Sequence, residues 1–239
     1  MTLFSDIEVT EKAIEFAKRN RTRICRNLTD TSIYLPEPEP VSVFMSGSPG
    51  AGKTESSKEL VTSLTSEGGH VLRLDPDDLR SEFEDYDGSN SYLFQKPVVI
   101  LVERAVDYIL KNGQSFLLDG TLASYNVAEK NIERSLKRER AVLIIFVYQR
   151  PELAWQFVQA REIVEGRKIL PEHFIQQFFG SQAVVEQLKE KFGQRIQVDL
   201  LLKDNDGSTR NYHSNVNSLK PYLKPTYTPK EVEEIVGIK

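Results

Sequence analysis

The sequence predicts an α/β protein in which helices cover both faces of a parallel sheet. Short apolar runs alternate with longer segments of helical pattern along the chain, which is typical of strands joined by crossover helices. The runs are continuously apolar and rich in branched residues, as expected of strands buried on both faces. The predicted strands are residues 41–46, 71–75, 115–120, 141–149 and 196–204, and the predicted helices between them are residues 53–66, 92–112, 126–139, 151–165 and 171–193.

The two ends of the chain lie outside this alternation. Residues 9–28 place apolar side chains at helical spacing among many bases, so they predict an amphipathic N-terminal helix. The stretch "LPEPEPVSV" that follows contains three prolines and predicts an extended lead-in. The tail has three more prolines and a short helical pattern, and we expect it to pack on the outside. The expected organisation is a helix and lead-in over residues 1–40, packed on a single domain of residues 41–239.

The composition is that of an ordinary globular protein. Of the 239 residues, 39% are hydrophobic and 28% are charged, and the formal net charge is −4. This weak negative charge argues against a nucleic acid or an anionic membrane as a partner. No apolar run approaches the ~20 residues of a membrane span, and Cys25 has no second cysteine with which to form a disulfide. We therefore expect a cytoplasmic protein.

The stretch "GSPGAGKT" follows the first predicted strand and opens the next helix. It matches the phosphate-loop pattern G-x-x-x-x-G-K-[ST], and the strand and helix around it are the context that the pattern requires. Such a loop turns its backbone N–H groups towards phosphates, and the helix adds its positive N-terminal end. Lys53 would reach the β- and γ-phosphates, and the Thr54 hydroxyl would be a ligand of Mg²⁺. The predicted nucleotide-binding residues are Gly47, Ser48, Pro49, Gly50, Ala51, Gly52, Lys53 and Thr54.

Carboxylates follow two further predicted strands, at the edge of the sheet where ligands bind in open α/β folds. Asp75, Asp77 and Asp78 come after the second strand, and Asp119 ends the third. Phosphoryl transfer to a hydroxyl needs a carboxylate that accepts the proton, and one of these acids could do so. Aspartate also caps helices, which would account for one of the three acids after the second strand. For Asp119 a plain turn at the strand end is an equal alternative.

A basic segment, "AREIVEGRKILPE", lies after the fourth predicted strand. It places Arg161, Arg167 and Lys168 around the end of a helix. Such charges are usually a solvated helix face. Beside a phosphate loop they could instead form a lid that closes over the nucleotide and excludes water.

Four segments together resemble the zeta-toxin family of P-loop kinases: "GSPGAGKT", "RLDPDDLR", "LLDGTL" and "QAREIVEGRKILPE", in this order, within roughly residues 40–205. The resemblance implies a P-loop kinase fold with ATP or GTP as the phosphoryl donor. It also implies that the acceptor is the 3′-hydroxyl of the N-acetylglucosamine moiety of UDP-N-acetylglucosamine. Many members of the family are held inactive by a small helical antitoxin, so the resemblance implies a protein partner as well.

The resemblance also implies roles for individual residues. It places the catalytic base at Asp77, the phosphate-loop lysine at Lys53 and two phosphate-contacting arginines at Arg161 and Arg167. A contact with the sugar nucleotide falls on the segment from Asp119 to Thr121, and a helical glutamate of the family matches Glu103. The family usually carries glutamate where this chain has Asp119, and a carboxylate one methylene shorter changes the reach of that contact.

Other functions are compatible with the same motifs. A nucleoside, an antibiotic or the end of a nucleic acid could be the acceptor of a P-loop kinase, although the chain has no basic, aromatic-rich strip that would favour a polynucleotide. A nucleotide-dependent switch or motor is the alternative from another class. A GTPase switch would need a guanine-recognition element such as N-K-x-D, which is absent, and a motor ATPase would usually have a strand ending in Asp-Glu.

Overall fold

A single sheet forms the centre of the protein in the computed structural model, which describes residues 5–66, 68–166, 168–203 and 210–238. Within these residues the sheet has six strands in the order β2-β3-β1-β4-β5-β6. The strands are β1 (Val41–Ser46), β2 (Leu72–Leu74), β3 (Phe116–Leu118), β4 (Ala141–Tyr148), β5 (Gln197–Lys203) and β6 (Arg210–His213).

The first five strands are parallel, which confirms the predicted strand–helix alternation. The central strand β1 pairs with both β3 and β4, so that Ser42 lies opposite Phe116 on one side and Val142 on the other. The sixth strand was not predicted. It runs antiparallel to β5, from the Leu200–His213 pair to the Lys203–Arg210 pair, and makes the sheet a mixed one.

The helices of the described residues have clear sequence signals at their ends. Proline occupies the first turn of α5, α6 and α7, where its missing N–H costs nothing. Glycine with positive φ follows α3 at Gly113 and α5 at Gly166 and ends both helices. The helices are α1 (Asp6–Leu28), α2 (Lys53–Ser66), α3 (Gln95–Asn112), α4 (Tyr125–Leu136), α5 (Pro151–Glu165), α6 (Pro171–Phe192) and α7 (Pro229–Val236).

Helices cover both faces of the sheet, as predicted. Alternate residues of a strand point to opposite faces. Val43 and Met45 of β1 therefore belong to a small apolar cluster beneath α2, whereas Phe44 belongs to the large core beneath the other helices. The carboxyl ends of the parallel strands meet at one edge of the sheet, and α2 starts directly from that edge.

The N-terminal helix packs along α3. Its buried side chains include Ala17 and Cys25, and the Cys25 thiol lies 3.3 Å from the carbonyl oxygen of Leu101. Near its beginning, Lys12 pairs with Asp85 at 2.7 Å. Among the described residues, no helix has the length and apolarity needed to cross a membrane.

Candidate active site

The phosphate loop lies between β1 and α2 and is pressed against two other elements. At Gly47, where φ is +136°, a Cβ atom would lie 2.2 Å from the carbonyl oxygen of Val147 in β4. At Gly50, where φ is +72°, it would lie 2.0 Å from the carbonyl oxygen of Ala154 in α5. Both positions therefore need glycine, because a side chain would collide with backbone and because L-residues avoid these φ values.

Two lysines donate to carbonyl groups of this loop. The Nζ atom of Lys53 lies 2.9 Å from the oxygen of Gly47 and 2.6 Å from that of Ser48. The Nζ atom of Lys203, the last residue of β5, lies 3.0 Å from the oxygen of Gly52. The structure thus places Lys53 at the loop as the motif predicts, and it adds Lys203, which no motif indicated.

The third strand brings Thr121 and Asp119 to the loop. The backbone oxygen of Thr121 accepts from the Ser46 hydroxyl at 3.2 Å and from the N–H of Gly47 at 3.3 Å. The Asp119 side chain is only 3% exposed, and its Oδ2 atom accepts from the Ser57 hydroxyl of α2 at 2.6 Å. Asp119 is therefore directed at α2, one helical turn beyond Thr54, rather than outwards from the sheet edge.

The oxygen donors around Thr54 suit Mg²⁺. Within the described parts of the chain, neither the Thr54 hydroxyl nor Oδ1 of Asp119 has a hydrogen-bond partner, so both oxygens can accept a metal ion or one of its waters. Across the same residues there is no group of three or more His, Cys, Asp and Glu side chains able to hold a metal. Mg²⁺ commonly keeps several waters and binds one or two protein oxygens together with phosphates, and Thr54 and Asp119 offer two such oxygens.

Arg73 of β2 connects the acids that follow β2 with Asp119. Its Nη2 atom lies 2.5 Å from Oδ2 of Asp119 and also contacts Asp75. Its Nη1 atom lies 3.2 Å from Asp78, and its Nε atom donates to Ser57 at 2.9 Å. Sequence reasoning missed this residue. The available signal was an arginine inside the otherwise apolar run "VLRL".

The three acids after β2 occupy different environments. The side chains of Asp75, Asp77 and Asp78 are 7%, 35% and 73% exposed. Asp77 precedes a short 3₁₀ turn, Asp78–Glu82, but its side chain makes no capping hydrogen bond. Its Oδ1 atom accepts from Arg80 at 2.5 Å instead. Helix capping therefore does not account for Asp77.

Burial makes Asp75 unusual among these acids. The buried position, together with the nearby carboxylates of Asp77 and Asp119, raises the pKa of Asp75 to about 6. The backbone N–H of Asp77, which donates to Oδ1 of Asp75 at 2.8 Å, and the Arg73 guanidinium act in the opposite direction. Asp75 thus serves as a backbone anchor for Asp77, with its other oxygen turned to Arg73.

The basic segment is described only in part. Arg161 is half-buried on α5, about 10 Å along the helix axis from Ala154, where α5 meets the phosphate loop. Arg167 lies outside the described residues. Trp155 of the same helix packs against Phe174 of α6, with ring centroids 5.2 Å apart.

Glu103 is the predicted site residue that the structure does not bring to this edge. It lies in α3, about 12 Å along the helix axis from Gln95, with which the helix begins. Its carboxylate is half exposed and pairs with Lys130 of α4 at 2.9 Å. This is a surface ion pair between two neighbouring helices.

Comparison with known proteins gives a family and a fold. The model of the family described as zeta toxin matches residues 25–217. Among curated proteins, none matches the sequence significantly. A structure from the PezAT chromosomal toxin–antitoxin system of Streptococcus pneumoniae superposes with a TM-score of 0.61 at 17% identity, covering 93% of this chain and 88% of that one. A structure of AvrRxo1-ORF1:-ORF2 with ATP superposes with a TM-score of 0.59 at 14% identity, covering 92% of this chain and 74% of that one.

Proposed function

This chain belongs to the zeta toxin family of nucleotide-dependent small-molecule kinases, and we propose that it transfers the γ-phosphoryl group of ATP or GTP to a sugar hydroxyl of UDP-N-acetylglucosamine. One observation carries the proposal: the phosphate loop, the buried Asp119 and the acid Asp77 all lie at the carboxyl edge of three adjacent strands. A donor held at the loop and an acceptor held by the segment after β2 would meet there.

The donor phosphates bind across the phosphate loop. The ammonium group of Lys53 exchanges the carbonyl oxygens of Gly47 and Ser48 for phosphate oxygens, because an anion is a stronger acceptor than a neutral carbonyl. Thr54 and, through water, Asp119 would hold Mg²⁺ in the manner of P-loop enzymes. A metal ion held there would supply positive charge to the donor phosphates.

Asp77 accepts the proton of the acceptor hydroxyl as that oxygen attacks the γ-phosphorus atom. The bond to the β-phosphate oxygen breaks, and the nucleoside diphosphate leaves. Hydrogen bonds orient the base: the backbone N–H of Asp77 donates to the Asp75 carboxylate, and Arg80 donates to Oδ1 of Asp77.

Arg161 and Arg167 supply positive charge to the γ-phosphate when the segment after α5 closes. In the structure Arg161 lies about 10 Å along the axis of α5 from Ala154, the residue that meets the phosphate loop. In the closed state such donors stabilise charge that develops in the transition state, and removal of one costs on the order of 10²–10³ in rate. The sugar contact is assigned to the segment that ends at Thr121, and Glu103 receives no contact with the substrate.

Single-turnover transfer with a matched pair of variants tests the proposal. Asp77→Asn is nearly isosteric and is expected to bind ATP but to lose transfer by at least about 10². Asp78→Asn removes a neighbouring carboxylate that is mostly exposed and should transfer at nearly the normal rate. Lys53→Ala is expected to abolish transfer without unfolding the protein.

The acceptor is identified by mass analysis of the products formed with ATP and a panel of UDP-sugars, nucleosides and antibiotics. Gain of one phosphoryl group by UDP-N-acetylglucosamine is the expected result. Transfer to another compound would leave the kinase assignment standing and overturn the acceptor. ATP hydrolysis without transfer to any acceptor would favour the switch or motor alternative.

The proposal includes a protein partner, a small helical antitoxin that keeps the kinase inactive. The family membership supports it, and one of the matched folds comes from a toxin–antitoxin system. Expression of the chain alone in a bacterium is expected to stop growth, and Lys53→Ala should relieve the arrest. Normal growth with active protein present would contradict this part of the proposal.

A further inference from the structure

A continuous series of side-chain contacts joins the phosphate-loop helix to the proposed base. It begins at Ser57 of α2, whose hydroxyl donates to Asp119 at 2.6 Å. Asp119 accepts from Arg73 at 2.5 Å, and Arg73 in turn contacts Asp75. Asp75 accepts the backbone N–H of Asp77 at 2.8 Å. Four contacts therefore connect α2, which follows the phosphate loop, with Asp77, the proposed proton acceptor.

Arg73 is the only member of this series whose side chain reaches both halves. All three of its guanidinium nitrogens are engaged, with Ser57 and Asp119 on the side of α2 and with Asp75 and Asp78 on the side of the acids. The side chain is 14% exposed, so water competes little for these contacts. A planar guanidinium suits this arrangement because its donors point in fixed, diverging directions.

The backbone alone connects α2 only weakly with the acids that follow β2. Strand β2 has three residues, lies at the edge of the sheet and pairs with β3 through Leu72, Arg73 and Leu74. The acids begin directly after this short ladder. Without further contacts the segment after Leu74 could shift relative to α2, and displacement of a reacting group by about 1 Å can cost 10² in rate.

We infer that Arg73 is a positioning residue that sets the location of Asp77 relative to the γ-phosphate. The inference rests on the proposed function for the role of Asp77, and it adds a residue that acts through that base. We assign Arg73 no contact with donor or acceptor, because its guanidinium nitrogens are engaged with Ser57, Asp119, Asp75 and Asp78. Its effect on the reaction comes from the rigid connection between Asp119 and Asp75.

Two substitutions and a matched control test the inference. Arg73→Met removes all four contacts, whereas Arg73→Lys keeps the charge and can reach only some of the four partners. Arg134→Met is the control, because Arg134 is also largely buried and bridges two elements, α4 and Asp107 of α3. Transfer should fall about 10²-fold in Arg73→Met and about tenfold in Arg73→Lys, with ATP affinity measured without Mg²⁺ changed less than about threefold. Arg134→Met should leave both values unchanged.

A double-mutant cycle distinguishes positioning from general loss of structure. If Arg73 acts through Asp77, adding Arg73→Lys to Asp77→Asn produces no further loss of transfer. Losses that multiply in the double variant would overturn the inference. The cycle uses the lysine variant, which keeps a cation beside the buried acids and therefore folds even if the methionine variant does not.

Hydrogen exchange provides a readout that needs no activity. In Arg73→Lys the amides of residues 77–83 should exchange at least about tenfold faster, because the Asp75 carboxylate no longer holds a fixed position under the N–H of Asp77. The amides of α4 should be unchanged. Unchanged exchange over residues 77–83 would overturn the inference. If the wild-type protein phosphorylates no acceptor, the proposed function fails, and the exchange experiment still decides whether Arg73 fixes this segment.

Discussion

Replacing Gly47 by alanine tests whether the phosphate loop owes its shape to close contact with β4. The new Cβ atom would lie 2.2 Å from the carbonyl oxygen of Val147, whereas ordinary contacts begin at 3.4 Å, so the loop must move by about 1.2 Å. The φ angle of +136° adds strain of about 1–3 kcal/mol for an L-residue. Overpacking of this size costs a further 1–3 kcal/mol or so. We expect the free energy of unfolding to fall by about 2–6 kcal/mol.

Gly47→Ala should also lower the affinity for nucleotide. A loop N–H that donates to a phosphate at about 2.9 Å no longer does so after a shift of this size. Loss of one hydrogen bond to a charged group costs about 1.5–3 kcal/mol, which is roughly a 10- to 150-fold loss of affinity. Urea unfolding and titration calorimetry with ATP measure the two quantities.

Gly237→Ala is the matched control for this experiment. Gly237 also has a positive φ, +82°, but no heavy atom lies within 4 Å of its Cβ position. The Gly237→Ala variant should therefore lose only about 1–2 kcal/mol of stability, which is the cost of the left-handed conformation for alanine, and it should bind ATP normally. A Gly47→Ala protein that is no less stable than Gly237→Ala and binds ATP within twofold of the wild-type affinity would show that contact with β4 does not shape the loop.

Three further predictions concern other parts of the molecule. Gly180→Ala in α6 should raise the free energy of unfolding by about 0.5–1 kcal/mol, because the new Cβ meets Ala123 at ordinary contact distances of 3.6 and 3.7 Å. A urea unfolding curve that shows no increase in stability would contradict this prediction. Burial raises the pKa of Cys25 to about 11, so a thiol reagent should label the native protein far more slowly than the urea-unfolded chain, and equal rates would refute it. The pKa of Asp75 is raised from 3.8 to about 6 in the folded protein, so its contribution to stability is present below pH 4 and is lost as the pH rises to 6. Between pH 4 and pH 6 the free energy of unfolding of the wild-type protein should fall by up to about 3 kcal/mol relative to that of Asp75→Asn. Urea midpoints of the two proteins that change in parallel with pH would contradict the raised pKa of Asp75.

The phosphate loop could be predicted from sequence because its parts are contiguous. The turn, the lysine and the helix start all lie within residues 46–54, and the predicted bounds of α2 and α5, residues 53–66 and 151–165, agree with the structure. The strand β6 could not be predicted in this way. Its residues 210–213, "RNYH", have no apolar alternation, and the strand exists through its pairing with β5.

The role of Arg73 could not be predicted because its partners come from distant parts of the chain. Ser57 is 16 residues away and Asp119 is 46 residues away, and only the sheet order brings them together. An arginine in a strand is usually expected to face solvent. Glu103 was assigned through the family resemblance alone, and its pair with Lys130 depends on how α3 and α4 pack, which sequence does not show.

The edge position of β2 has a consequence for how this protein can diversify. The strands that hold the phosphate loop, β1, β3 and β4, pair with one another without help from β2. Residues 84–90 lie between the short turn after Asp77 and the start of the segment that leads into α3, and they belong to no strand, so they can lengthen or shorten without breaking a pair in the centre of the sheet. Under the proposed function, related chains that share the phosphate loop would acquire new acceptors through changes in this segment while Arg73 keeps Asp77 in place.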